Sequence, residues 1–481
     1  MKLIYEKSST GRPGVQMSSI QISETEKIPE KYLRKVPANL PEVSEAEVVR
    51  HFTALSRLNF SIDTHFYPLG SCTMKYNPKS CEAAAALPEL TDVHPLWPQL
   101  LGGGLLTQGS LSILYNLERL LSEVTGLDEF TLQPMAGAHG ELTGVTLMAA
   151  YHKDVGNDKD HIIVPDSAHG TNPASAILAG YKVVTIPSDE KGMMDFNLFK
   201  EALNEKTAGV MLTCPNTLGV FNTRIKDICD AVHDVDGLMY YDGANFNAIM
   251  GRYKPGEIGF DICHLNLHKS FATPHGGGGP GAGPVGVVSK LKPYLPVSRV
   301  EKTPDGNFIL NYNEPKSIGY IAPFYGNFGI LVRAYAYILS LGSNGLLGTS
   351  NRAVLNANYL QEKMRPLFGA PYRGRCMHEF VFSGEFLKEY GVNVLDLAKG
   401  LIDYGFHPPT IYFPLNVPEA IMIEPTETED RDMLDNFVEK VSLLIEQARK
   451  NADVLHDAPK TTPVSRLDEK KAAKDMRLNY S

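Results

Sequence analysis

Long apolar runs are missing from this chain of 481 residues, and so are paired cysteines, an excess of positive charge and any dense set of metal-ligating side chains. Each absence excludes something. No stretch approaches the length needed to span a bilayer, and the opening MKLIYEKSSTGRPGVQ has no apolar centre of the kind a secretory signal needs, so neither membrane insertion nor export is expected. The six cysteines, at positions 72, 81, 214, 229, 263 and 376, never fall at CxxC spacing, and a chain this long needs no disulfide frame; a reducing cytoplasm is the expected compartment. The histidines form neither HExxH nor a Cys/His ligand set, so no metal is expected. The net charge of −9 disfavours nucleic acid as a partner.

What is present is ordinary in bulk and patterned in detail. Hydrophobic residues make up 43% and charged residues 21%, and the length implies more than one domain. Residues 1–109 are broken repeatedly by proline, from Pro29 to Pro98, and read as an arm that packs across another domain or subunit. From residue 110 the pattern changes. LSILYNLERLLSEVTG has helical spacing and ends at Gly126. The strands HIIVPD, YKVVTIP, GVMLTC, GLMYYD and DICHLNL then follow, the first four alternating with the helices NPASAILAG, FNLFKEALNE and DICDAVHDV. This alternation predicts an α/β domain over 110–365, a mostly parallel sheet flanked by helices. Residues 366–458 predict a small α/β domain built from the strands MHEFVFSG and AIMIEP and the helices VLDLAKGLIDYG and MLDNFVEKVSLLIEQARK, with a polar tail at 459–481. No internal repeat is visible.

Ligands of such sheets lie beyond the carboxyl ends of the strands, so the residues that follow each strand carry the interest. Lys269, in HLNLHKSF, sits where partial enclosure would free its amine to attack a carbonyl. Asp242 closes the strand GLMYYD, 27 residues earlier. A lysine that holds an aldehyde and an acid that keeps a pyridine nitrogen protonated are the pair that pyridoxal phosphate (PLP) requires, and Ala244 is small enough to lie beneath a flat ring. Ala136, Gly137 and Ala138 precede a helix whose first N–H groups suit a phosphate. His169, after HIIVP, is placed to stack on the ring. Asn216, after GVMLTC, is placed to bond the ring hydroxyl. His268 and His275 flank the lysine segment and suit phosphate or acid–base contacts. Each residue alone has a plainer explanation: a surface lysine, a helix cap, a turn, a structural histidine. Their common order on one sheet reads as the large domain of a fold-type-I PLP-dependent transferase-like enzyme, with Lys269, His169 and Asp242 as its catalytic group.

The segment HLNLHKSFATPHGGGGPGAGPVGV is similar to the cofactor-lysine segment of P-proteins, the glycine dehydrogenases (decarboxylating) of the glycine cleavage system. FYPLGSCTMKYNPK resembles their GSCTMK segment, and DSAHGTNPASA, MIEPTETED and LIYEKSSTGRPGVQ are similar too, so the resemblance spans nearly the whole chain. It implies the lysine-bearing second subunit of the split form. It further implies a homologous partner subunit without the lysine, two copies of each, and the lipoylated H-protein as second partner. The implied reaction is the decarboxylation of glycine with transfer of the aminomethyl group to the lipoyl arm and release of CO2. The run Gly276–Gly279 reads either as a mobile loop admitting that arm or as a tight turn, the first being favoured. Cys72 reads as a small buried residue, and Arg373 and Arg375 as either carboxylate ligands or a solvated pair. The rival readings are another fold-type-I enzyme, such as an amino-acid decarboxylase or a cysteine desulfurase, and a non-catalytic scaffold subunit.

Overall fold

Apolar continuity decides where the main sheet forms. A computed structural model describes residues 2–12, 14–15, 29–36, 38–97, 105–276, 279–322, 326–372 and 374–478. The strands are β1 (Glu129–Thr131), β2 (His161–Pro165), β3 (Lys182–Ile186), β4 (Thr207–Thr213), β5 (Leu238–Gly243), β6 (Ile262–Leu265) and β7 (Val285–Val287). Their order across the sheet is β1-β7-β6-β5-β4-β2-β3. The run from β3 to β6 is parallel throughout. Only β7 is reversed, lying antiparallel between β6 and β1. The central strands β4 and β5 are buried at every residue, as expected of strands covered on both faces, whereas the edge strand β3 buries only Ile186 fully.

The helices Thr171–Leu178, Phe196–Ala202 and Ile225–Asp234 stand where the sequence places them, and Gln108–Thr125 ends on Gly126 in the left-handed conformation that glycine tolerates best. Helix Gly137–Asp154 lies close on the sheet because position 144 has no side chain: a Cβ there would sit 2.2 Å from the Tyr240 ring. The short strands β1 and β7 are absent from the sequence reading, since three residues carry no usable period. So is the hairpin of β8 (Arg299–Lys302) and β9 (Phe308–Asn311).

A second sheet, β10 (Phe380–Ser383), β12 (Ala420–Ile423) and β11 (Thr410–Ile411) in that order, is antiparallel and packs on helices Val394–Asp403 and Arg431–Lys450. The expected strand MHEFVFSG begins three residues late, so His378 and Glu379 stand before it. Helix Phe328–Met364 joins the two cores: Ile330 to Leu346 pack in the first and Ala357 to Met364 in the second. It is long and apolar enough to cross a membrane by length and composition, contrary to the sequence reading that no segment is. However, Gly342 interrupts it with φ 60° and ψ −174°, and many of its apolar side chains are buried in these cores. The N-terminal arm enters the second core through Phe66, and Leu69 bridges to Ile423.

Candidate active site

The carboxyl ends of β4, β5 and β6, the segment after β2 and the start of helix Gly137–Asp154 surround a cleft of about 200 Å³. Lys269 lines it from the short helix Leu267–Ser270, and its ammonium makes no hydrogen bond or ion pair to a described residue. Asp242 lines it from the end of β5 and is 2% exposed. Its Oδ1 accepts from the Ala244 N–H at 2.9 Å and its Oδ2 from the Asn172 amide at 3.0 Å. His264 Nε2 lies 3.4 Å from Oδ1, while His264 Nδ1 contacts the Tyr240 hydroxyl at 2.7 Å.

Burial works against a charge on Asp242, but the His264 ring, the Ala244 N–H, the Asn172 amide and the nearby Lys269 outweigh it and hold the carboxyl below its ordinary value. Glu141, on the same side, is pushed the other way: burial and then the neighbouring Asp242 raise it to about 8. Two carboxyls side by side thus differ in state, one ionised and one protonated at neutral pH. Burial takes His268 down to about 3, helped by His275 and Lys269, and His275 to about 4, helped by Lys269. Both rings are neutral hydrogen-bonding groups rather than cations.

At the helix start, Ala136 is the N-cap with extended backbone and no side chain caps the first turn. The N–H groups of Gly137 and Ala138 therefore face the cleft without a capping acceptor. A Cβ at residue 137 would fall 2.6 Å from Asn266 Oδ1, so only glycine lets the helix start approach so closely.

Most of the residues singled out from the sequence meet here: Gly137, Ala138, His169, Asp242, Ala244, His268 and Lys269 all line the cleft. His169 is on its open side, Nδ1 at 2.8 Å from the Thr171 hydroxyl. Ala136 contributes backbone only. Asn216 is a correction: its amide donates to the Gly192 carbonyl at 2.6 Å and its Oδ1 accepts from the N–H groups of Leu218 and Val220. The side chain is consumed in holding its own turn, and it does not line the cleft. Arg375 lines a separate depression with Lys191 and Tyr372; Arg373 lies outside the described residues, as do Gly277 and Gly278 of the glycine run. Cys72 is half-buried, and its thiol is raised by burial.

Glu141, Asn172, Thr213, Asn245, His264 and Asn266 were missed. Glu141 had a signal, since it lies four residues after Gly137 and so shares its helix face. His264 had none, being one residue inside a buried strand.

PLP fits these donors. An amine for the aldehyde, an ionised carboxylate for the ring nitrogen and an uncapped helix start for the phosphate converge on one cleft, where Thr213 Oγ1 and Asn266 Oδ1 are buried without partners among the described residues. Fold and cleft together define the class as fold-type-I PLP-dependent enzymes of the aminotransferase-like fold.

Residues 139–279 match the family model "Aminotransferase class-V" and residues 349–462 match "Glycine dehydrogenase, C-terminal domain". The chain is 52% identical to a probable glycine dehydrogenase (decarboxylating) subunit 2 from Caldanaerobacter subterraneus subsp. tengcongensis, over 100% of this chain and 98% of that one. It is 51% identical to the protein of the same name from Bacillus licheniformis, over 99% and 98%. A crystal structure of glycine decarboxylase (P-protein) in inhibitor-bound form shares the fold, with TM-score 0.72 and 20% identity over 87% of this chain and 93% of that one. A cysteine desulfurase from Thermococcus onnurineus shares it with TM-score 0.61 and 15% identity, over 80% and 95%. The chain belongs to the glycine dehydrogenase (decarboxylating) subunit 2 family.

Proposed function

We propose that this chain catalyses the PLP-dependent decarboxylation of glycine, transfers the aminomethyl group to the lipoyl arm of H-protein and releases CO2. In this reading it is the lysine-bearing subunit of a split P-protein. The observation that carries the reading is the convergence of Lys269, Asp242 and the uncapped helix start on one cleft, in a chain about half identical to the named relatives.

Bound in the cleft, PLP supplies a protonated ring that takes up the electron pair left when a bond to the substrate α-carbon breaks. The residues of this chain do the rest. Lys269 Nζ would hold the aldehyde carbon of the cofactor and leave it for the amine of glycine. Asp242 keeps the proton on the ring nitrogen, and Asn172 and the Ala244 N–H keep Asp242 ionised and aimed. The N–H groups of Gly137 and Ala138 take the phosphate, with neutral His268 beside them. His169 stacks on the ring, and Ala244 leaves room beneath it. Thr213 is the donor for the ring hydroxyl in place of Asn216.

A family name that ends in "subunit 2" supports a partner subunit. We assign that partner the same fold without the lysine, two copies of each chain in the assembly, and the cytoplasm as its place. We retain the division into an arm (1–109), a PLP-binding domain (110–365), a small domain (366–458) and a tail (459–481).

Glycine–bicarbonate exchange tests the reading. The chain is purified with and without its partner subunit and given PLP, labelled bicarbonate and lipoylated H-protein. Exchange should require the partner, H-protein and Lys269, and Lys269→Ala should abolish both exchange and the visible absorbance of bound PLP. PLP binding without exchange would leave the cofactor assignment standing and remove glycine as substrate.

A further inference from the structure

Behind Lys269 lies a second group of titratable side chains that the mechanism above does not use. His378 and Glu379, just ahead of β10, and Glu424, just past β12, are all 0% exposed. His378 Nε2 lies 3.8 Å from Glu379 Oε1 and 3.8 Å from Glu424 Oε1, and one ligand-type atom from each of the three residues falls within 4.8 Å of the others. Neither ring nitrogen of His378 has a hydrogen-bond partner among the described residues.

The GSCTMK loop is shaped around this group. Ser71 and Thr73 hold φ of 63° and 48°, a conformation that side-chain-bearing residues adopt only where the surroundings impose it. The result is a concave run of N–H groups. The Ser71 N–H donates to Glu379 Oε2 at 2.7 Å, and Thr73 donates to Glu424 through its N–H at 2.9 Å and its hydroxyl at 2.6 Å. Asn245, a cleft residue, donates to Glu379 Oε1 at 3.1 Å, and Ser71 lines the cleft as well. The group is therefore wired to the cleft at two points.

The charges facing it are few. Lys269 approaches from its helix, Cys72 from the loop and Glu427 from the turn after β12, where Glu427 is already paired with Lys75. Two carboxyls this close in a dry site cannot both stay ionised without a cation, and Lys269 is the cation whose charge reaches all three members.

We propose that Glu379, Glu424 and His378 form a proton-holding group for Lys269, which takes up a proton when Lys269 gives up its ammonium charge to the cofactor and returns it when the lysine is released by substrate. The step moves protons without oxidation or reduction: as Lys269 Nζ bonds the aldehyde carbon, two of its three N–H protons leave with the aldehyde oxygen as water and the third forms an O–H bond on the carboxyl pair. When the substrate amine displaces Nζ, that amine's two protons pass to Nζ and the carboxyl proton restores the ammonium. Burial raises Glu424 to about 7, with Glu427 adding to the shift, and raises Glu379 well above its ordinary value, with Glu424 adding to that one, while burial keeps His378 neutral near 3. Glu424 thus titrates where such an exchange needs it. The proposal rests on the PLP reading of the cleft.

Titration calorimetry in buffers of different ionisation enthalpy counts the protons exchanged when PLP is added to the assembled protein stripped of cofactor. At pH 7 the wild type should release roughly half a proton per site fewer to the buffer than Glu424→Gln or Glu379→Gln. Infrared difference spectra of the wild type on PLP binding need no variant, and should show a carboxylic-acid carbonyl band gaining intensity. PLP binding with equal proton counts in wild type and both variants, or with no such band, overturns the proposal and leaves the cofactor reading intact. A wild type that binds no PLP overturns the cofactor reading, and this inference with it.

Discussion

Asp242 keeps a charge in a place that disfavours charge, and the causes are local: the His264 ring beside it first, then hydrogen bonds from the Ala244 N–H and the Asn172 amide, and the nearby Lys269. Asp242→Asn keeps the shape and removes the charge proposed to hold the ring proton. Exchange should fall roughly 100- to 1,000-fold while PLP remains bound, read from the visible spectrum beside the exchange rate. Glu118 is the opposite case, 4% exposed and raised to about 8 by burial first and Glu129 second. A carboxyl raised in the folded state costs stability as pH climbs from its unfolded value toward the folded one. Glu118→Gln should therefore raise stability by roughly 4 kcal/mol at pH 8 and leave it unchanged near pH 4, measured by urea unfolding at both. The place of Lys269 and Asp242 at the cleft was legible in the sequence because each follows a strand end, where a parallel sheet places its ligands. Asn216 also follows a strand end, but its turn needed the side chain, and only the hydrogen bonds reveal that.

At the scale of elements, the start of helix Gly137–Asp154 suits the phosphate role proposed for it because it is bare and close. Gly137→Ala brings a Cβ against Asn266 Oδ1 and should push the helix start outward. PLP affinity should drop roughly tenfold or more with the unfolding midpoint little changed, measured by fluorescence titration of the stripped protein. Gly144→Ala acts on the same helix through packing alone. Its Cβ meets the Tyr240 ring and should cost roughly 1–3 kcal/mol in urea unfolding. The long parallel strands and their crossover helices were readable because apolar runs and turn residues mark them. The strands β1 and β7 were not, because pairing with each other and with β6, rather than their own three residues, makes them strands.

At the scale of the whole molecule, one buried cation, Lys75, joins groups from several elements. Lys75 is 2% exposed, and its ammonium donates to Asn247 Oδ1, the Ser270 carbonyl, the Tyr337 hydroxyl and Glu427. It joins the arm, the residue after Lys269, the long helix and the turn after β12. Burial alone would lower Lys75, but Glu427 and Tyr337 outweigh it and raise it, so its contribution is fully present at neutral pH and is lost only as pH climbs past the usual lysine range. Lys75→Met strands Glu427 and should cost roughly 3–5 kcal/mol at pH 7, measured by urea unfolding, with PLP binding weakened in the same protein.

Local pattern by itself determined the class of fold and pointed to the proposed lysine, its acid and the helix start, because each of these depends on strand ends and helix starts that the chain announces within a few residues. Tertiary structure alone decided that GSCTMK is a cradle for two acids, that His378, Glu379 and Glu424 meet behind the lysine, and that Asn216 stays out of the cleft. Those residues are separated by as many as 351 positions, and no periodicity spans such a gap. They are brought together by two cores closing on one long helix, and that closure is a property of packing rather than of any segment.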